Sequence, residues 1–517
     1  MHARCKPDVT ASALALALAG GLAALAAQND STLVKLDSGM VSGIQGSTPD
    51  MRIYKGIPFA APPVGDLRWR APQPVAHWTG VRKADAFSPA CMQGSGNGSS
   101  EDCLYLNVWT AAKSAGEKRP VMVWIYGGGY NTGSGSQAMY DGEALAKKGA
   151  VIVTLNYRLG VFGFFSYPEL TKESDRRGAA NFGVMDAIAA LEWVQKNIAQ
   201  FGGDPKRVTI FGESAGAGMV ANLMATPKAK GLFQRAIGES SAWSTATIAK
   251  LNTLAQAEQA GVKFAEGVGA KSLAELRAKP ADVILKGGRG VGPIVDGWLI
   301  SEDPGSVFLA GRQIEVPVLT GSNRDESFAA APRSAEDFVA QARKRFGELA
   351  DEYLKLYPAG SDEQARESAF FSGRDEMAFV MRNWARLAAK PGKFKSYVYY
   401  FTQQRPLMTG GKEGGPFAPG PHGSATHVSE ILYVFHHLDN SRPWTDADRK
   451  VADTMSSYWV NFAAGGDPNG KGMAKWAAYD GTGKTVMVFG DPPQGNQTPT
   501  DQQIAFFQSY FEKLYAK

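Results

Sequence analysis

The 517-residue sequence predicts an α/β fold, with a mostly parallel central sheet and helices on both faces. Short runs rich in β-branched and aromatic residues read as strands buried on both sides: residues 104–109, 121–126, 151–157 and 208–211. Between the last two lies 184–199, which carries apolar residues at helical spacing, with Asn181 and Asp186 near its start. The composition is 44% hydrophobic, 20% charged and 10% aromatic, which excludes a collagen-like, coiled-coil or largely disordered chain.

The elements follow in order. Arg4 and Lys6 precede an Ala/Leu stretch, 11–27, that ends in Ala24-Leu25-Ala26-Ala27, so residues 1–26 read as a signal peptide with an A-x-A cleavage site. A membrane anchor is the weaker reading, because Gly20-Gly21 interrupts a run made of Ala rather than Leu. The product is expected to be exported, periplasmic or secreted, with no stable membrane anchor after cleavage. Residues 27–517 are expected to form one domain. Its first third is extended, with segments 41–45 and 51–54 before a proline-rich stretch, 58–74. Beyond about residue 244 the sequence turns rich in Ala, Lys and Glu. Helical insertions are expected near 246–285 and 335–389, the latter as 335–356 and 362–389, with strand candidates 316–319 and 397–401 between and after them. A helix over 447–463 and a turn-rich tail complete the chain. No long flexible linker separates these blocks, so they are read as insertions on the sheet.

Charge and cysteine content narrow the function. The net charge of +5 comes from 55 basic and 50 acidic residues with no long basic run, so no nucleic-acid partner is expected. Three cysteines, Cys5, Cys91 and Cys103, are too few for repeated Cys/His zinc modules. In an oxidising compartment, a Cys91–Cys103 bond would close a loop of about a dozen residues and contribute roughly 3 kcal/mol; two buried free thiols are the alternative.

The chemistry concentrates at Gly212-Glu213-Ser214-Ala215-Gly216. This G-x-S-x-G follows the strand 208–211 and opens a helix-like run, 217–224, as a sharp turn that projects a nucleophilic serine must do. A serine nucleophile needs a base, and the base needs an orienting acid. Of six histidines, His2 leaves with the signal, His77 lies upstream and His436-His437 close an element. His422 and His427 remain, in a Gly/Pro-rich loop after 397–401. Glu326 and Asp325, just past 316–319, are the candidate acids, and spacing does not separate them. Gly127-Gly128-Gly129 follows the strand 121–126, where glycines let backbone N–H groups approach a developing alkoxide; the N–H of Ala215 is a further donor. The chain order serine, acid, histidine suits an α/β-hydrolase.

These motifs, with Tyr54-Lys55-Gly56-Ile57-Pro58-Phe59-Ala60, Glu101-Asp102-Cys103-Leu104-Tyr105-Leu106-Asn107-Val108-Trp109, Asn156-Tyr157-Arg158-Leu159-Gly160, His427-Val428-Ser429-Glu430 and Gly466-Asp467-Pro468-Asn469, run through nearly the whole chain. In them the sequence resembles the type-B carboxylesterases, the family of the cholinesterases and bacterial para-nitrobenzyl esterases. The resemblance implies an α/β-hydrolase catalytic domain with Ser214, Glu326 and His427 as the triad. It implies an oxyanion hole from Gly128, Gly129 and Ala215, a Cys91–Cys103 disulfide, and an ion pair between Glu101 and Arg158. It places Ser240 behind the acid, although its neighbours Glu239 and Ser241 depart from the usual Gln-Ser-Gly. The implied reaction is two-step acyl transfer on a small-molecule ester, with no metal or organic cofactor.

Other readings are set against this one. The loop between the cysteines is short and lacks tryptophan, so choline esters are not expected substrates. A long-chain lipase and a non-catalytic binding homologue are the competing functions. A dehydrogenase is disfavoured, since no complete G-x-G-x-x-G opens a βαβ unit. Gly483-Lys484-Thr485 lacks the earlier glycine of a phosphate loop, with Ala478 in its place. Asn29, Asn97 and Asn496 head N-x-S/T sequons. Tyr130, Phe162, Phe164 and Phe165 are candidates for a substrate pocket or for ordinary core, and the loop 406–423 for the border of the entrance.

Overall fold

The computed structural model describes residues 32–516 apart from 95, 97, 175–179, 243–247, 391 and 411–417. The expected signal peptide, the Asn29 and Asn97 sequons and the middle of the 406–423 loop lie outside these residues.

The described residues form a ten-stranded sheet: β1 (Ile44–Gln45), β2 (Arg52–Pro58), β3 (Tyr105–Thr110), β4 (Arg119–Ile125), β5 (Val151–Leu155), β6 (Gly203–Glu213), β7 (Arg235–Glu239), β8 (Val318–Asn323), β9 (Ser396–Phe401) and β10 (Met487–Phe489). Their spatial order is β10-β9-β8-β7-β6-β4-β5-β3-β2-β1. Every pairing from β10 to β5 is parallel, and β3, β2 and β1 continue the sheet antiparallel at the other edge. The all-buried patterns of β5 and of Pro120–Ile125 in β4 are what covering on both faces demands.

β7 shows how the two faces are covered. Successive strand residues point to opposite sides. A Cβ on Gly238 would lie 2.1 Å from the Trp384 ring, so only glycine lets the helix Asp362–Ala389 pack there. The next residue, Glu239, accepts a hydrogen bond from Trp459 Nε1 at 2.8 Å, and Trp459 belongs to the helix Asp446–Gly465. The first helix is N-capped by Ser361 and the second carries a Thr445/Asp448 capping box. A third helix, Phe182–Asn197, begins where Asn181 predicts it, but Asn181 does not cap it. Its amide instead pairs with the backbone of Ile294 and with Asp296, tying that segment to the start of the helix.

The stretch 246–285 is broken into Leu254–Gly267, Leu273–Ala278 and Ala281–Lys286, and 335–356 into Ala335–Phe346 and Ala350–Leu356. The tail holds a further helix, Asp501–Tyr515, whose Phe506, Phe507 and Phe511 are buried. Cys91 and Cys103 are joined by a disulfide with their Cα atoms 5.0 Å apart.

The expected pair between Glu101 and Arg158 does not form. Arg68 Nε and Nη2 donate to both Glu101 oxygens, at 2.7 and 2.6 Å, and Arg158 holds Asp186 by a second fork at 2.8 and 2.7 Å. Asp186 is wholly buried and also accepts the Arg158 N–H at 3.0 Å, so that guanidinium is committed to it. Tyr130, Phe162, Phe164 and Phe165 are all buried, and the last three pack in the core with Arg68, Tyr130 and Trp69.

Candidate active site

The parallel strands end in register. Gly212 of β6 pairs with Ile125 of β4 and with Gly238 of β7, and Glu239 pairs with Gly321 of β8. The residues that leave these strands at their carboxyl ends therefore converge, which is where open α/β sheets place their sites.

Ser214 is the first of them. It sits between β6 and the helix Ala215–Ala225 with φ 55° and ψ −129°, a conformation that costs a non-glycine residue about 1–3 kcal/mol. It is held from both sides, its N–H donating to Glu239 O at 2.8 Å and its carbonyl accepting from Gly218 N at 3.0 Å. Gly216 is obligatory, because a Cβ there would lie 2.0 Å from Ile125 O. Ser240, at the end of β7, repeats the conformation with φ 55°. Tyr130 and Val428 are also at positive φ, so strained residues cluster around this point.

Beyond β8 the chain turns so that Glu326 is buried and fully satisfied. Its Oε1 accepts from Ser240 Oγ and from Asn323 N, each at 2.8 Å, and its Oε2 lies 2.8 Å from His427 Nδ1. Asp325, one residue earlier, points elsewhere. Its carboxylate takes Arg324 Nε at 2.9 Å, Gln404 Nε2 at 2.9 Å and Ala425 N at 3.0 Å, and so shapes the loop that leads to His427. His422 lies against the rings of Phe370 and Phe371, away from the serine. Of the residues that spacing left open, Glu326 and His427 meet, and Asp325 and His422 do not join them.

His427 lines a cavity of about 460 Å³ together with Ser214, Gly127, Gly128, Gly129, Tyr140 and Phe328. Phe328 stands edge-on to the imidazole, with centroids 4.6 Å apart. Gly128 has φ 102°, and a Cβ would meet Thr132 O at 2.2 Å, so the loop after β4 closes only with glycine here. Ala215 is the first residue of its helix and carries a free backbone donor of the kind that favours anions. A cavity of about 530 Å³ elsewhere, lined by Asp66, Glu169, Glu173 and Arg277, has no serine or histidine in its wall.

Four carboxyl groups share the region behind the histidine: Glu213, Glu239, Glu326 and Glu430 are all buried. Burial first, and repulsion by Glu326 and Glu239 second, push the Glu213 carboxyl well above the usual range. Glu430 is raised in the same direction, by burial and then by Glu213, Glu239 and Glu326, while Asn323 Nδ2 donates to it. Burial pushes Glu239 up to about 8. His427 Nε2 is 3.0 Å from Glu213 Oε1, an approach that forms no hydrogen bond. Among the described residues, no group of three or more His, Cys, Asp or Glu is placed to hold a metal ion.

Residues that the motifs alone did not bring forward are Gln93 and Phe328 in the cavity wall and Glu430 behind Glu326. Glu430 stands one turn after His427, a spacing that was visible as part of the histidine motif. Gln93 and Phe328 lie in segments with no periodicity to mark them.

A serine at a strained strand-to-helix turn, a histidine held by a buried glutamate and a glycine loop beside them define an α/β-hydrolase. The chain belongs to the carboxylesterase family, whose model matches residues 30–507. It is similar to the fumonisin B1 esterase of Sphingopyxis macrogoltabida, at 36% identity over 94% of this chain and 92% of that protein. Similarity to the para-nitrobenzyl esterase of Bacillus subtilis (strain 168) is 33% over 90% and 97% of the two chains. Among solved structures, a carboxylesterase of Geobacillus stearothermophilus superposes with a TM-score of 0.72 at 32% identity, covering 89% of this chain and 96% of that one. The protein is a carboxylic ester hydrolase.

Proposed function

We propose that the protein hydrolyses small-molecule carboxylic esters by two-step acyl transfer through Ser214, His427 and Glu326, and that it does so after export. The observation that carries the mechanism is the fixed imidazole: its Nδ1 is bound to Glu326, and His427 lines the same cavity as Ser214.

In the acylation step Ser214 Oγ attacks the ester carbonyl carbon and His427 Nε2 takes its proton. Glu326 holds the proton on Nδ1 and stabilises the imidazolium that forms. The carbonyl electrons move onto oxygen, where the N–H groups of Gly128, Gly129 and Ala215 stabilise the alkoxide. One such donor is typically worth about 3–4 kcal/mol. Collapse expels the alcohol, which receives the proton from Nε2. Water then attacks the acyl-serine by the same route and releases the acid. Burial and the neighbouring Glu326 and Glu239 push the Glu213 carboxyl upward, which weakens a competing ion pair with the imidazolium.

The relatives named as fumonisin B1, cocaine and para-nitrobenzyl esterases support a small-molecule ester as substrate. Export is supported by the basic, apolar, small-residue order of residues 1–26 and by the Cys91–Cys103 bond, which suits an oxidising compartment. No helix among the described residues is long and apolar enough to cross a membrane.

The test is hydrolysis of p-nitrophenyl esters from acetate to palmitate by the protein and by Ser214→Ala. The variant is expected to fold and to lose at least about a thousandfold in kcat. Retention of most activity would refute the serine assignment, and a long-chain optimum would favour the lipase reading. Fractionation of producing cells tests export.

A further inference from the structure

The loop closed by the disulfide has a side chain aimed at the glycine loop after β4. Gln93 stands two residues past Cys91 and is half-buried in the cavity wall. Its Nε2 donates to Gly133 O at 2.7 Å and to Cys91 O at 3.0 Å, and its Oε1 accepts from Gly133 N at 2.8 Å. One primary amide thus meets both backbone groups of a single residue, as a neighbouring strand would. Gly133 closes the turn that begins at Gly128, whose carbonyl accepts from Asn131 N and Thr132 N at 3.1 Å and from Thr132 Oγ1 at 3.2 Å. Two residues further on, Gly135 is anchored to Asn156 and Thr154. Gly133 is therefore the point where the turn carrying Gly128 and Gly129 is tied to the disulfide loop.

We propose that Gln93 is a positioning residue for ester hydrolysis: it holds the turn 128–133 so that the N–H groups of Gly128 and Gly129 stay aimed at the reacting oxygen, and the Cys91–Cys103 bond keeps Gln93 in place. The inference rests on the acyl-transfer reading above. Its chemistry is specific to a neutral amide. Methionine fills similar space without either hydrogen bond. Glutamate keeps the shape but turns an acceptor oxygen toward the carbonyls of Gly133 and Cys91. The disulfide acquires a second role, since opening it frees the segment that carries the amide.

The experiment uses the full chain with p-nitrophenyl acetate and a trifluoromethyl ketone, which forms an oxyanion adduct on a reactive serine. A misplacement of about 1 Å costs up to about 100-fold in rate, so Gln93→Met and Gln93→Glu are each expected to lose roughly 10- to 100-fold in kcat with little change in KM. Inhibition by the ketone should weaken by the same factor, whereas inhibition by the acetate product should not change. The Cys91→Ser/Cys103→Ser double variant should show a similar loss of kcat, and adding Gln93→Met to it should cost little more. Circular dichroism confirms that each variant is folded, and Gln93→Met serves where a smaller side chain would not fold. The proposal is overturned if Gln93→Met keeps kcat within about twofold, if the loss lies in KM alone, or if ketone affinity is unchanged. Wild-type protein that ignores the ketone, or Ser214→Ala that stays active, would instead overturn the acyl-transfer reading itself.

Discussion

Replacing Glu326 with glutamine exchanges one oxygen for an NH₂ group at a carboxylate that accepts three hydrogen bonds. Its Oε1 takes Ser240 Oγ and Asn323 N, and its Oε2 takes His427 Nδ1. If the amide oxygen stays with Ser240 and Asn323, the NH₂ faces Nδ1, the imidazole carries its proton on Nε2, and it cannot accept the serine proton. If the amide flips, the tautomer is restored but the buried Asn323 N–H loses its acceptor, which costs about 1–3 kcal/mol. At that cost the competent orientation is populated at roughly one part in 5 to one in 150. In either orientation the negative charge that stabilises the imidazolium is gone. The expected loss in kcat is about 10² to 10⁴, the upper end being the full cost of a wrong tautomer in a serine triad. Asp325→Asn removes an ion pair with Arg324 and loosens the loop at Ala425 without touching the imidazole, so it should lower the unfolding temperature and leave kcat within about fivefold. The assay is kcat on p-nitrophenyl acetate for both variants, with thermal unfolding followed in parallel. A larger loss of kcat in Asp325→Asn than in Glu326→Gln would refute the assignment of the acid.

Further expectations come from buried charge. Glu239 has an ordinary value of 4.5 and is pushed up to about 8 by burial. Between those values the unfolded chain has released the proton and the folded chain still holds it, so this group lowers stability progressively as pH rises from 4.5 to about 8, and no further above that. Glu239→Gln keeps an acceptor for Trp459 and should flatten the wild-type decline across that window, as read by urea unfolding at several pH values; parallel curves would contradict it. For the Arg158 fork, removing one partner strands a buried charge at a cost of about 3–5 kcal/mol. A double-mutant cycle should therefore show strong coupling between Arg158 and Asp186 and little between Arg158 and Glu101.

How much was legible before the structure depended on how local each signal is. The helix Asp362–Ala389 was read to its boundaries, because its pattern, cap and length are all contiguous. The serine and glycine motifs were legible because sharp turns restrict residue types. β7 escaped notice. As a central strand it is specified by what covers it, and Gly238 under Trp384 and Glu239 under Trp459 give it no apolar run. The C-terminal helix, capped by Thr500 and Gln503, was hidden in a tail dense with turn residues. At the site, Glu326 and Asp325 differ by a single position, so only the direction of the chain after β8 separates them. Arg158 pairs with Asp186 and not with the Glu101 that the resemblance implies, because Arg68 arrives from the proline-rich segment to claim Glu101.

The strained residues Tyr130, Ser214, Ser240 and Val428 belong to four separate segments. At about 1–3 kcal/mol apiece, their combined tension is comparable to the whole margin by which a protein stays folded. Warming should release that tension before the sheet melts. The enzyme would then fall silent while still looking native to circular dichroism, with a midpoint for activity below that for secondary structure. Its working temperature would be set by four kinked peptides, and its heat tolerance by everything around them.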